Sequence, residues 1–371
     1  MLQANDFEIS SIHKYMQILS DTNLDIRSSK PKPGSYEWWY FDAITGDGEY
    51  TVVAIFYDGN PFSRRYIDAI ESGRTDLEGQ FPAISLSVYK GSSPVFYSFE
   101  EVNPDEASFS SSKPEGEVKQ NRFYREFKGD KLIYNLELDQ QLPNGDRLEG
   151  ALSFQSTAQH FEMNGGKPSA ESEKHRWNLV QPTAEVTGKL SISGFNAQEI
   201  LFEGTGYHDH NTGEEPMRDS FKEWYWGRVH FPNHTLVYYL MNENGVMESR
   251  GWLFGPDRDV QIIRGGIEPE DIGVNIFGLQ SARKIEKKEG DAQFLIQKRD
   301  LIDDGPFYQR FHSQVMLHTD GEIHQGRGIS EYICPSRIHV KLFRPLVNMR
   351  IRYPGKDHWV QKSPRLYRWT W

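Results

Sequence analysis

A single cysteine, Cys334, stands in the whole chain. That excludes an internal disulfide and a thiolate metal cluster, and it fits a reducing compartment. Long apolar runs are missing too. Stretches such as Val52-Val53-Ala54-Ile55-Phe56-Tyr57 have strand length and cannot cross a bilayer. The first residues, Met1-Leu2-Gln3-Ala4-Asn5-Asp6-Phe7-Glu8, lack the basic and apolar regions of a secretory leader. Positive charge is short, with a formal net charge of −11. Phosphate binding needs clustered Lys and Arg, so nucleic acid is not an expected partner, and pairs such as Arg64-Arg65 read as solvated faces. No Gly-x-Ser-x-Gly elbow, phosphate loop or dinucleotide fingerprint occurs. Asp303-Asp304 is an isolated pair and not an extended motif for magnesium-held diphosphate. The expectation is a cytoplasmic protein without a cofactor, which an apolar substrate can bring to the periphery of a membrane.

Aromatic residues are plentiful instead: 22 Phe, 18 Tyr and 9 Trp in 371 residues. They suit ligand-binding walls as well as cores, because Tyr and Trp combine apolar area with one polar contact point. Strand signals dominate the chain. Leu132, Tyr134, Leu136 and Leu138 alternate with more polar neighbours, as do Leu190 and Ile192. Turn signals at Asp47-Gly48, Asn144-Gly145 and Asn244-Gly245 punctuate them. Only residues 10–19 and 267–283 carry weak helical patterns. The pattern predicts an all-β fold of sandwiches or barrels. Residues 102–120 read as a long loop, and 164–174, rich in Gly, Pro and Ser, as a linker or lid.

The length fits two domains, and a faint repeat supports the division. Glu37-Trp38-Trp39-Tyr40 is matched half a chain later by Glu223-Trp224-Tyr225-Trp226. Each is followed by an apolar strand, Thr51-Val52-Val53-Ala54-Ile55-Phe56 and Thr235-Leu236-Val237-Tyr238-Tyr239-Leu240. The expected organisation is an N-terminal extension 1–33, a first lobe 34–163, a junction 164–187 and a second lobe 188–371.

The densest polar segment beside aromatic strands is Gly206-Tyr207-His208-Asp209-His210-Asn211-Thr212-Gly213. Asp, Asn and Gly there suit a plain turn. A zinc site through His208 and His210 is a second reading, with third ligands from His175, His230 or His234 at no recognisable spacing. Downstream, Trp224, Trp226, Arg228 and His230 share one face if their segment is a strand. Cys334, after a strand and before Pro335, reads as a structural thiol.

At these residues the chain resembles the carotenoid 1,2-hydratases, also called hydroxyneurosporene synthases. The resemblance rests on Glu37-Trp38-Trp39-Tyr40-Phe41, Tyr207-x-Asp209-x-Asn211, Glu215-Pro216 before Trp224-x-Trp226, Gly326-x-Gly328-x-x-Glu331-Tyr332 and Pro345-Leu346-Val347. It runs from about Gly34 to Tyr353. It implies two lipocalin-like β-lobes packed together, in a superfamily that also holds AttH-like proteins and fungal Diels-Alderases. It also implies catalytic roles for the His175-Arg176-Trp177 and Tyr207-His208-Asp209 segments, with Asp209 as proton donor. The two additional imidazoles, His208 and His210, depart from the hydratase pattern, and the expectation for them is either a change in the acid's pKa or contact with a substrate more polar than a carotenoid.

Residue chemistry agrees with that implication. Hydrating an isolated trisubstituted alkene requires protonation to a tertiary carbocation, and burial keeps a carboxylic acid neutral for the task. Indole faces stabilise a cation. The expected catalytic set is Asp209, Tyr207, His175 and His208, with the last two as bases. The expected substrate-binding set is Trp177, Trp224, Trp226, Arg228, Trp39, His210 and Asn211, with no metal. A metal-independent lyase on an apolar isoprenoid or polyene is the first reading. A cyclase or pericyclase is the alternative, and a non-catalytic carrier of an apolar ligand the third.

Overall fold

The computed structural model describes residues 16–29, 32–74, 80–157, 161, 163, 174–243, 245–255 and 259–371. Among them the expected all-β architecture is present as two curled half-barrel sheets, one of thirteen strands and one of nine. The first sheet holds β1 (Met16–Leu19), β2 (Tyr36–Thr45), β3 (Tyr50–Tyr57), β4 (Ala83–Lys90), β5 (Ser93–Glu101), β6 (Ala107–Phe109), β7 (Glu115–Val118), β8 (Asn121–Lys128), β9 (Lys131–Gln141), β10 (Arg147–Thr157), β11 (His175–Ser193) and β12 (Gln198–Gly213). The second holds β13 (Glu223–His230), β14 (Thr235–Glu243), β15 (Val246–Phe254), β16 (Val260–Arg264), β17 (Ile267–Val274), β18 (Gln280–Lys287), β19 (Gln293–Asp304), β20 (Tyr308–Thr319) and β21 (Glu322–Ile333). A last strand, β22 (Ile351–Arg352), returns to the first sheet beside β5. Helices are short: α1 (Arg64–Glu71), α2 (Met217–Ser220), α3 (Arg344–Arg350) and α4 (Pro364–Arg368).

Most neighbours in sequence are antiparallel neighbours in space, as turn-linked strands favour. The β2–β3 hairpin closes where Asp47-Gly48 signals it. Gly48 takes φ +75°, and Thr45 Oγ1 donates to Asp47 Oδ1 at 2.6 Å. Helix α1 starts at Ser63, whose hydroxyl accepts from the Arg65 and Tyr66 amides.

Several expectations are corrected here. The weak helical pattern at 10–19 falls partly outside the described residues, and 16–19 are strand. The one at 267–283 is the antiparallel pair β17–β18. β17 is an edge strand with only Ile267 buried, and it carries Pro269 and the positive-φ Asp271, so it shows no period-2 alternation. Residues 102–120 are not one loop, since they contain β6 and β7. Of the expected junction, 164–173 lie outside the described residues, but 175–187 are strand. β11 runs through position 188 and β12 completes the first sheet, so the chain passes between sheets in 214–222. The pairing of β11 with β12 slips on both sides of Gln181, next to Pro182, which has no amide proton for the ladder.

The central strands are buried on both faces. All ten residues of β2 are buried. In β14, Leu236, Tyr238 and Leu240 enter the core of the second sheet, whereas Val237, Tyr239 and Met241 join the core shared with the first. The two sheets therefore pack face to face through their middles, and the repeated aromatic motifs lie on paired central hairpins, β2–β3 and β13–β14.

Candidate active site

Strand register dictates which side chains meet between the sheets. β2 pairs with β12 so that Trp38 lies opposite Asn211 and Tyr40 opposite Asp209. β13 pairs with β14 and β21 so that Trp226 lies opposite Tyr239 and Glu331, and Trp224 opposite Met241 and Ile333. Alternation turns all of these to the gap between the sheets. They line a cavity of about 90 Å³, together with Met16, Ile55, Tyr57, Phe62, His175, Trp177, Phe221 and Tyr308. A second cavity of about 90 Å³ shares Ile55, Tyr57, Phe62 and Tyr308 with it. The two cavities adjoin at these four side chains, and both are mostly apolar.

Asp209 is the acidic centre of the first wall and only 4% exposed. Its Oδ2 accepts from Trp177 Nε1 and from the Tyr207 hydroxyl, each at 2.7 Å, and its Oδ1 accepts from Asn211 Nδ2 at 2.8 Å. Burial pushes its carboxyl up to about 8, against the pull of the Trp177 and Tyr207 donors; the Glu331 and Asp42 charges push the same way as burial. At neutral pH it is mainly a neutral acid in an aromatic enclosure.

His175 reaches Asp209 only through Asn211. Its Nε2 stands 3.1 Å from Asn211 Oδ1 and its Nδ1 3.2 Å from the Tyr36 hydroxyl. Because Asn211 spends its amide protons on Asp209, Nε2 of His175 is the donor and Nδ1 accepts from Tyr36. Burial lowers its pKa to about 4, so the imidazole is neutral. It orients Asn211, which in turn orients the acid.

Four expected site residues lie elsewhere. His208 and His210 point from the opposite face of β12, away from Asp209. His208 stacks on Phe41 and contacts Asp25 at 3.2 Å, while His210 stacks on Trp39 and bonds Glu37 at 2.8 Å. Neither imidazole lines this cavity. They hold the N-terminal segment, where Asp25 also accepts from Tyr134 and Ser28 donates to Glu37. Trp39 is likewise turned inside the first lobe against Phe109; its neighbours Trp38 and Tyr40 take the cavity instead. Arg228 shares a face with Trp224 and Trp226 as expected, yet it is fully buried in an ion pair with Asp42. His230 ends that face, 2.7 Å from the Thr235 hydroxyl and away from the cavity.

Sequence reasoning assigned no role to the second wall's polar groups. Glu331 accepts from Arg310 Nε at 2.8 Å and from the Tyr40 hydroxyl at 3.1 Å. Trp226 Nε1 and Tyr308 Oη are buried without a hydrogen-bond partner among the described residues. Such orphaned donors in a cavity wall suit a water or a substrate oxygen. The signal for Glu331 was its place in the Gly326-x-Gly328-x-x-Glu331 motif.

The profile of the carotenoid hydratase CrtC family matches residues 103–362, more than half of the chain. The chain belongs to this family. It is 26% identical over 363 residues to a Chlorobaculum tepidum protein named hydroxyneurosporene dehydrogenase, covering 92% of this chain and 94% of the relative. It is 24% identical over 309 residues to the acyclic carotenoid 1,2-hydratase of Thiocapsa roseopersicina, covering 82% and 71%. In fold it is similar to a putative AttH from Nitrosomonas europaea, with a TM-score of 0.59 and 12% identity over 85% of this chain and 97% of that one. Membership in the CrtC family makes the chain an enzyme of hydratase type.

Proposed function

We propose that this CrtC-family enzyme adds water across an isolated carbon–carbon double bond of an extended apolar isoprenoid, with Asp209 as the proton donor. The observation that carries the reading is a buried carboxyl, raised to about 8, in a cavity walled on both sides by aromatic rings. Asp209 gives its proton to the less substituted alkene carbon, leaving a tertiary carbocation. The rings of Tyr40, Trp224 and Trp226 border the space where that charge forms. Trp177, Tyr207 and Asn211 hold the Asp209 carboxylate left behind. Water, held by Glu331 and the free donors of Trp226 and Tyr308, attacks the cation, and its surplus proton returns to Asp209. The sum is alkene plus water giving a tertiary alcohol, so water is the only co-reactant. Burying the isoprenoid chain supplies binding energy of about 25 cal/mol per Å², and the adjoining second cavity gives that chain room.

The test is turnover of an acyclic carotenoid with a terminal trisubstituted alkene in doubly labelled water. One solvent deuterium on the less substituted carbon and one solvent oxygen on its neighbour are expected. A cyclised product without solvent oxygen would move the chemistry to the cyclase reading. Binding without any product would leave a carrier.

A further inference from the structure

The C-terminal stretch 335–371 departs in charge from the rest of the chain. It holds nine Lys and Arg against one acid, Asp357, hence +8 in a chain of −11, so the remainder carries −19. Five of the nine are tied to the body. Arg337 binds backbone carbonyls of Pro306, Phe277 and Gly278, and Arg344 pairs with Asp68 and Glu71. Arg350, Arg352 and Arg368 pair with Asp303, Glu100 and Asp146. The other four, Lys341, Lys356, Lys362 and Arg365, are exposed and make no ion pair among the described residues.

Interleaved with these cations are large apolar side chains left in solvent: Leu342 at 79%, Trp359 at 66%, Leu366 at 41% and Trp369 at 88% exposure. They sit on elements packed against one another. α3 contacts the 3-10 turns Lys341–Phe343 and Trp359–Lys362, and the latter contacts α4. Phe195, exposed at 57%, lies under Arg368 at the same place. Core filling does not explain such side chains, and a patch of this kind marks an interaction site. The inner side of the same stretch supplies Leu346, Val347 and Ile351 to the second cavity.

We propose that this C-terminal face docks on the surface of an anionic lipid bilayer. Exposed Trp beside Leu and Lys is the composition of an interfacial anchor, with indoles at the headgroup level and cations on lipid phosphates. The strongly acidic remainder of the molecule is repelled by the same surface, so the charge asymmetry fixes which side faces the lipid. The docked face is the outer wall of the second cavity, which sets an apolar chamber next to the phase where apolar substrates dissolve. The docking itself does not depend on the hydration chemistry.

Vesicle co-sedimentation of the full chain tests it without any turnover. Binding to phosphatidylcholine vesicles containing phosphatidylglycerol is expected, falling with added salt, with much weaker binding to phosphatidylcholine alone. Changing Lys341, Lys356, Lys362 and Arg365 to Gln should weaken partition about fivefold per charge removed. Trp359→Ala with Trp369→Ala should abolish the blue shift of tryptophan emission on binding. Absence of binding to anionic vesicles, or equal binding to both vesicle types, overturns the proposal whether or not the variants fold. So does a concentration-dependent dimer that the tryptophan changes disrupt, since a second copy would then be the occupant.

Discussion

The indole Nε1 of Trp177 donates to Oδ2 of Asp209 at 2.7 Å, from the strand next to the acid's own. An aromatic residue that looks suited to stabilising a cation is thus fastened to the acid, and its hydrogen bond favours the ionised carboxylate. Trp177→Phe removes that donor while keeping a ring. The alkaline limb of activity should then rise by roughly one pH unit. An unchanged limb would mean that Asp209 is not the titrating acid.

In the wild-type enzyme the sign follows from a raised carboxyl. The protonated, competent form exists below about 8, so turnover falls as pH climbs through that value. Stability follows the same direction. The contribution of this group is complete below the ordinary 3.8 and is lost as pH rises toward and through 8. A pH series of kcat and Tm on wild type and Asp209→Asn measures both. The variant's Tm should lack this component.

Asp209→Asn keeps the shape and removes the proton. Turnover should drop roughly 10²–10⁴-fold, with substrate binding retained because apolar area supplies most of it. Near-normal turnover in this variant, with loss in Trp226→Ala, would make cavity shape the catalyst.

His175→Phe and His210→Ala should separate the two faces of the first sheet. His175→Phe leaves Asn211 Oδ1 without its donor, and kcat should fall with a small change in KM. His210→Ala breaks a buried contact with Glu37 far from the reacting atoms. It should lower stability by about 1–3 kcal/mol while turnover per folded molecule persists. Loss of kcat without loss of Tm in His210→Ala would contradict its placement.

Arg228 and Asp42 form a fully buried pair between the lobes. Arg228→Met strands the carboxylate and should cost about 3–5 kcal/mol in chemical denaturation, whereas Arg228→Met with Asp42→Asn should cost less. If the single change proves neutral, the pair does not hold the two sheets together.

The sequence by itself determined the β-character of the chain, the turns at Asp47-Gly48 and Asn144-Gly145, and the family signature around Asp209. These are local properties: alternation, turn chemistry and a short motif survive without knowledge of what packs where. Alternation also put Trp224 and Trp226 on one face of their strand, and that face lines the cavity. The tertiary structure alone decided the face of every doubly buried strand. β2 and residues 206–211 of β12 are covered on both sides, so their polarity does not say whether Trp38 or Trp39, Asp209 or His210, looks into the cavity. Only the register between them settles it, and a shift of one residue would exchange the two sets. The motif around Glu331 marked the residue but not its place: it lies more than a hundred residues from Asp209 in the chain, and the packing of two sheets brings both to one cavity.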